Sequence, residues 1–152
     1  SYLPQPEKRL FSLSDLLHNL EELLQTNFQE NNISFTLRCS PESIITEGDE
    51  KQLSQVFLNL LKNAMQALEG HPHGELSLQA EQNEHIVIDI TDNGPGIPPE
   101  IQDKVFIPFF TTKSEGTGIG LSLCKEIIRR HEGHLSVKES KAGKTVFHIE
   151  LP

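Results

Sequence analysis

The chain has 152 residues, 36% of them hydrophobic and 23% charged, with a formal net charge of -9. That length suits one domain with a proper core, and the acidic balance excludes a nucleic-acid surface, which needs a basic face to displace counterions. No apolar run approaches the roughly 18 residues of a membrane span, Ser1 to Pro6 hold no signal-peptide core, and Cys39 and Cys124 fit neither a disulfide framework nor a Cys-x-x-Cys site. Both cysteines therefore read as buried or idle thiols in a reducing, cytoplasmic setting.

Residues 1–9 carry two prolines and mixed charge and are expected to be an extended linker leading into a domain at 10–152. Ser12-Leu13-Ser14-Asp15 has the look of a capping box. It opens an apolar series at helical spacing (Leu13, Leu16, Leu17, Leu20, Leu23, Leu24, Phe28), which predicts a helix from about 13 to 29. Residues 33–39 alternate as a strand does, and a short strand follows at 44–46. Asp49 is placed to cap the next helix, whose apolar positions Leu53, Val56, Phe57, Leu60, Leu61, Ala64, Met65 and Leu68 give the cleanest periodicity in the chain. Asn59 and Asn63 lie four apart on the border of that stripe, so both carboxamides project from one side.

Two alternating runs, 75–80 and 85–92, predict a hairpin, and Ile101 and Val105 suggest a short helix after Pro98-Pro99. A helix from Gly118 to about Arg130 and a closing hairpin of 134–138 with 145–151 complete the series. This order predicts an α+β two-layer sandwich, with a mixed, mostly antiparallel sheet and helices on one face.

Between the strand ending at Asp92 and the last helix runs a connection of about thirty residues, rich in glycine, proline, threonine and phenylalanine. Connections of that length are commonly functional. Asp92, at the end of a buried strand, is placed to accept a hydrogen bond from an exocyclic amine. Gly94 and Gly96 let backbone approach a flat ring. Gly116, Gly118 and Gly120 lead into a helix N-terminus, where free N–H groups and the helix dipole favour phosphate. Asn63, with Asn59 beside it, offers oxygen donors for a hard divalent ion bridging those phosphates. Each signal is weak alone, but their order along one chain is specific.

Three decoys fail on context. Gly143-Lys144-Thr145 resembles the end of a P-loop but sits in a hairpin with Lys138 where the leading glycine belongs. The glycines at 116–120 follow no strand directly and so are not a dinucleotide fingerprint. His131-Glu132-Gly133-His134 is one residue short of a zinc-binding helix motif, and the seven histidines read as surface or hydrogen-bonded residues.

Taken together, these segments resemble the catalytic ATP-binding domain of bacterial sensor histidine kinases, of the Bergerat-fold superfamily shared with gyrase, Hsp90 and MutL. The N box corresponds to Asn59-Leu60-Leu61-Lys62-Asn63-Ala64, and the first glycine box to Asp92-Asn93-Gly94-Pro95-Gly96-Ile97. The F box corresponds to Phe106 to Phe110, and the second glycine box to Gly116-Thr117-Gly118-Ile119-Gly120-Leu121. The nitrogen-regulation type is the most similar, on the N box and the compact Phe109-Phe110-Thr111-Thr112-Lys113 segment.

The resemblance implies that Asp92 contacts the adenine amine, that Asn63 ligates Mg²⁺ with Asn59 beside it, and that Gly116 to Leu121 wrap the phosphates of ATP. Lys62 and Lys113 are candidates for neutralising phosphate charge, with a solvated Lys62 as the alternative. Phe109, Thr111 and Thr112 would belong to a lid, and residues from about 107 to 116 are expected to order around nucleotide.

The family's phosphoacceptor, a histidine followed by an acidic residue with a proline four further on, has no counterpart in these residues. The domain is thus expected to be monomeric and to act on a separate dimerisation and phosphotransfer domain within a homodimeric parent, which itself can be membrane-anchored. A response regulator would lie downstream. Rival readings are a gyrase-, Hsp90- or anti-sigma-factor-like hydrolase or serine kinase, which use a glutamate where Asn59 stands as general base, and a degenerate module that binds nucleotide and transfers nothing.

Overall fold

The computed structural model describes residues 3–110 and 120–152. Its strands are β1 (Arg9–Ser12), β2 (Ile33–Ser40), β3 (Ile45–Gly48), β4 (Gly74–Gln82), β5 (Ile86–Asp92), β6 (His134–Lys141) and β7 (Lys144–Leu151), and its helices are α1 (Leu13–Glu30), α2 (Glu50–Ala67) and α3 (Gly120–Arg130). The main sheet has the order β2-β4-β5-β7-β6, and β1 and β3 form a separate antiparallel pair. Within the main sheet the β2–β4 pairing is parallel, and the other three pairings among the described residues are antiparallel. The predicted α+β two-layer sandwich is present.

Local sequence explains the starts of the first two helices. Ser12 is the N-cap of α1 and its hydroxyl accepts the Asp15 N–H at 3.1 Å, while Asp49 caps α2 by accepting the Gln52 N–H at 3.1 Å. Such caps are worth about 1 kcal/mol each. Beyond them, apolar stripes hold the layers together. Leu13, Leu17, Leu20 and Leu24 of α1, Leu53, Val56, Phe57, Leu60 and Leu61 of α2, and Ile127 and Ile128 of α3 share one buried core with Leu76, Leu78, Ile88, Ile90 and Ile149 of the sheet. Each side chain of this kind contributes about 1.5–3 kcal/mol on burial.

Four expectations change in detail. Leu23, counted in the α1 stripe, is 64% exposed; at 3.6 residues per turn it falls on the edge of the stripe rather than at its centre. The short strand at 44–46 becomes β3 over Ile45–Gly48, because Ile44 is instead consumed in bonding to the start of α1, its N–H donating to Ser14 Oγ and its carbonyl accepting from the Leu13 N–H. The short helix after Pro98 is a single 3-10 turn, Pro99–Ile101. The strand predicted over 134–138 continues as β6 to Lys141 across a bulge between Val137 and Glu139, which adds a residue that simple alternation does not accommodate.

Residues 3–8 are fastened to the domain at three points. Arg130 donates to the Leu3 carbonyl at 2.7 Å, Gln52 to the Pro4 carbonyl at 3.0 Å, and the Glu7 N–H donates to Asp49 Oδ2 at 3.0 Å. The same corner holds His131, 4% exposed, whose Nε2 accepts the Asp49 N–H at 2.9 Å and whose Nδ1 lies 2.8 Å from the Ile127 carbonyl. Only the tautomer with hydrogen on Nδ1 satisfies both. His131 is a hydrogen-bonded structural histidine that locks the end of α3 to the start of α2. No helix among the described residues is long and apolar enough to cross a membrane.

Candidate nucleotide site

The site forms where β5 ends under the second half of α2. Alternation along β5 buries Ile86, Ile88, Ile90 and Asp92 on the helix side, so the last buried position of a central strand carries a carboxylate in place of an aliphatic group. Asp92 is 4% exposed. Its Oδ1 accepts the Gly94 N–H at 2.9 Å, and among the described residues no protein donor reaches Oδ2. Burial pushes the Asp92 carboxyl above the usual carboxylate range, and the Gly94 amide offsets part of that rise.

Both glycines of the first glycine box are sterically required. A Cβ on Gly94 would stand 2.9 Å from Asp92 Oδ1 and 3.0 Å from the Ala67 carbonyl. Gly96 has φ +87°, and a Cβ there would lie 2.5 Å from the Lys141 carbonyl.

Next to this turn opens a cavity of about 230 Å³. Asn63 and Ala67 of α2 form one wall, Gly96, Ile97 and Pro98 another, and Ile101, Val105, Phe110, Leu121 and Phe147 complete a largely apolar slot. Asp92 does not line the cavity itself; it adjoins it through Ala67 and Gly94. Asp92 also borders a basin of about 250 Å³ together with Ser34, Thr36, Ser77 and Lys144. By strand alternation its side chain lies on the buried face with Ile86, Ile88 and Ile90, beside the slot rather than in its lining.

Of the expected N-box residues, Asn63 faces the cavity and is half-buried, Asn59 lies one turn earlier, and Lys62 is exposed away from the slot. The Cys124 thiol donates to the Val56 carbonyl at 3.7 Å and is pushed up to about 12 by burial, with Asn59 one of the smaller influences that lower it. Cys124 is thus an inert thiol inside the α2–α3 interface, and Cys39 is half-buried on the edge strand β2.

Gly120 is exposed, and Leu121 lines the slot. Phe109 is 74% exposed with φ +67°, whereas its neighbour Phe110 turns into the cavity. Thr111, Thr112, Lys113, Gly116, Thr117, Gly118 and Ile119 lie outside the described residues, as does most of the expected lid.

Several residues of the site carry no sequence signal of their own. Phe147 of β7 lines the slot and meets Phe106 edge-on, with ring centroids 6.1 Å apart, while Lys125 Nζ sits 4.7 Å over the Phe106 ring. Thr145 stands opposite Asp92 in the β5–β7 register and is 4% exposed. A threonine among the otherwise apolar buried positions of β7 is the one available hint.

The α+β sandwich thus carries a largely apolar slot with a carboxamide on its wall and a buried carboxylate beside it. The chain belongs to the family of histidine kinase-, DNA gyrase B- and HSP90-like ATPases, which it matches over residues 48–152. It is 38% identical over 144 residues to sporulation kinase C of Bacillus subtilis, covering 92% of this chain and 33% of that one. With the sensory histidine kinase/phosphatase NtrB of Rhodobacter capsulatus it shares 41% identity over 121 residues, 70% of this chain and 33% of the relative. The chain therefore spans about a third of the length of these curated relatives. Among solved structures, the nucleotide-free catalytic domain of histidine kinase ThkA superimposes with a TM-score of 0.87 at 32% identity, covering 96% of this chain and 95% of that one. ThkA has also been solved in complex with the response regulator TrrA.

Proposed function

We propose that this domain binds ATP with Mg²⁺ and presents the γ-phosphate to a histidine on a separate dimerisation and phosphotransfer domain, as the catalytic module of a two-component sensor histidine kinase. The observation that carries the reading is the apolar slot between Asn63 and Ile97 with the buried Asp92 carboxylate beside it, next to Ala67 and Gly94. An adenine ring fits the slot's character, and its exocyclic amine would supply a donor to Asp92 Oδ2, which none of the described residues reaches. Gly94 and Gly96 keep the ring's edge close to backbone.

Among the described residues no group of three or more histidine, cysteine, aspartate or glutamate side chains is placed to hold a metal. A divalent ion would then take most of its oxygens from the phosphates and water, as magnesium commonly does, with Asn63 as the protein donor on the cavity rim. Bound there, it shields phosphate charge. Gly120 and Leu121 at the start of α3, together with the second glycine box, are assigned to the phosphates; Lys113 and the threonines before it are assigned to the lid.

Asn59 carries a carboxamide, which cannot act as a general base. An attacking imidazole needs no base, because its neutral nitrogen is already nucleophilic near neutral pH. The domain's contribution is therefore positioning and charge shielding rather than proton abstraction. The parent is read as a cytoplasmic-facing homodimer acting on a response regulator, with the domain itself monomeric and, at a net charge of -9, without a nucleic-acid partner.

The test is to mix the domain with a separately made phosphoacceptor hairpin of the same parent and labelled Mg-ATP. The expected product is an acid-labile, base-stable phosphate on the hairpin's histidine, lost in Asn63→Ala. Brisk ATP turnover in water, or phosphate on serine, would replace this reading by the hydrolase or serine-kinase one.

A further inference from the structure

The β6–β7 hairpin grips the first glycine box at several points. The Ile97 N–H donates to Ser140 Oγ at 2.7 Å, and the Gly143 N–H donates to the Gly94 carbonyl at 2.9 Å. Gln102 Nε2 reaches both the Ile97 carbonyl, at 2.9 Å, and the Ser140 carbonyl, at 3.3 Å. The Ser140 hydroxyl is also 2.9 Å from Thr145 Oγ1, so one side chain joins the loop wall to the strand position facing Asp92.

Gly96 and Ile97 form a wall of the slot, yet they belong to a stretch that is neither helix nor strand. Of the donors that fix such a stretch, the Ile97 amide has Ser140 as its acceptor. Without it the amide turns to water, and the wall gains freedom that a bound ring must remove again.

Resting on the nucleotide reading above, we propose that Ser140 is a positioning residue of the base slot: its hydroxyl holds the Gly96–Ile97 wall in its ring-accepting position. Ser140 touches no reacting atom, so its effect belongs to affinity and not to transfer. The substitution Ser140→Thr keeps the hydroxyl oxygen, and β strands tolerate β-branched residues well.

The experiment compares wild type, Ser140→Ala and Ser140→Thr by calorimetric titration with Mg-ATP and by hydrogen exchange at the Ile97 amide, at temperatures well below unfolding. Phosphotransfer to the acceptor hairpin is followed in parallel. Ser140→Ala is expected to weaken ATP binding about 3- to 10-fold, the size of one lost hydrogen bond, and to raise KM with kcat within about twofold. Exchange should quicken at Ile97 and not across the α2 core, and Ser140→Thr should restore affinity. Unchanged affinity in Ser140→Ala, or a loss of kcat with faster exchange throughout the domain, would overturn the proposal, the latter by making Ser140 merely structural. A wild-type domain that binds no ATP would sink the nucleotide reading itself, and the proposal with it.

Discussion

The two ends of the slot are built on different physical principles. At the base end the polar groups are largely paired before a ligand arrives: Asp92 Oδ1 with the Gly94 amide, the Gly94 carbonyl with the Gly143 amide, and the Ile97 amide with Ser140. Buried strand residues and close backbone contacts leave little room for adjustment. At the phosphate end the described residues are a half-buried Asn63, an exposed Lys62 and an exposed Gly120 at a helix start, where a Cβ would meet nothing within 4 Å. A flat uncharged ring can be recognised by a preformed shape, whereas a multiply charged, hydrated phosphate chain is better met by groups that still face water. On the proposed nucleotide reading, specificity would be concentrated at the stiff end and charge handling at the open one.

The largest test of the stiff end is Gly96→Ala. A side chain at φ +87° costs about 1–2 kcal/mol, and its Cβ would overlap the Lys141 carbonyl, adding about 1–3 kcal/mol of overpacking. Denaturant unfolding should show a loss of about 3.5 kcal/mol, the middle of those two ranges combined, with ATP affinity reduced as the turn and hairpin separate. The same substitution at the helix start, Gly120→Ala, should leave stability unchanged or slightly raised, since Ala is the better helix former. Equal losses at the two glycines would erase the contrast.

Asp92→Asn separates recognition from stability. The amide places a donor where the base also presents one, so ATP binding should weaken by about 1–3 kcal/mol. Stability should move the other way. A carboxyl whose folded-state pKa is raised by burial opposes folding when ionised; the penalty is absent below the ordinary carboxylate range, sets in across the window up to the raised folded value, and is complete above it. Asn carries no such penalty, so Asp92→Asn should match or exceed wild type in stability at about pH 7 and lose that advantage on acidification through the window. Wild-type ATP affinity should fall over the same window as Asp92 takes up a proton. Calorimetric titrations and melts across pH check both signs, and a variant less stable than wild type at neutral pH would mean the carboxylate stabilises the fold.

The stiff end is only partly legible in the sequence. Helices α1 and α2 can be read because their apolar stripes and their Ser12 and Asp49 caps are local patterns, and Asp92 stands out as a carboxylate ending an alternating run. Strand β1 has no such signature: its four residues lack clear alternation and are held by pairing with β3, whose register joins Arg9 to Gly48. Ser140 is silent for the same reason, since its meaning depends on Ile97, 43 residues away. Phe147 reads as one more core aromatic of β7 until the structure places it on the slot. What escapes the sequence is long-range pairing, where a residue's role is set by what the fold brings beside it.

The smallest expected effect is the most exacting test of the open end. Lys62 follows Asn59 and precedes Asn63 on α2, so a direct phosphate contact would make the N box as preorganised for charge as the glycine box is for the ring. Its side chain is exposed and borders neither the slot nor any ion pair among the described residues. A solvated lysine facing a phosphate through water gains about 0.5 kcal/mol or less, because high dielectric and side-chain entropy absorb most of the Coulomb attraction. Lys62→Ala should therefore weaken ATP binding no more than about twofold at low salt, and the difference should shrink as salt rises, because exposed charges are screened. Stability should stay within about 0.5 kcal/mol of wild type, as for most surface substitutions. Titrations at two ionic strengths decide it. A loss above about tenfold, or about 1.4 kcal/mol, that survives high salt would put Lys62 in direct, desolvated contact with phosphate, and the open end would then be no less preformed than the stiff one.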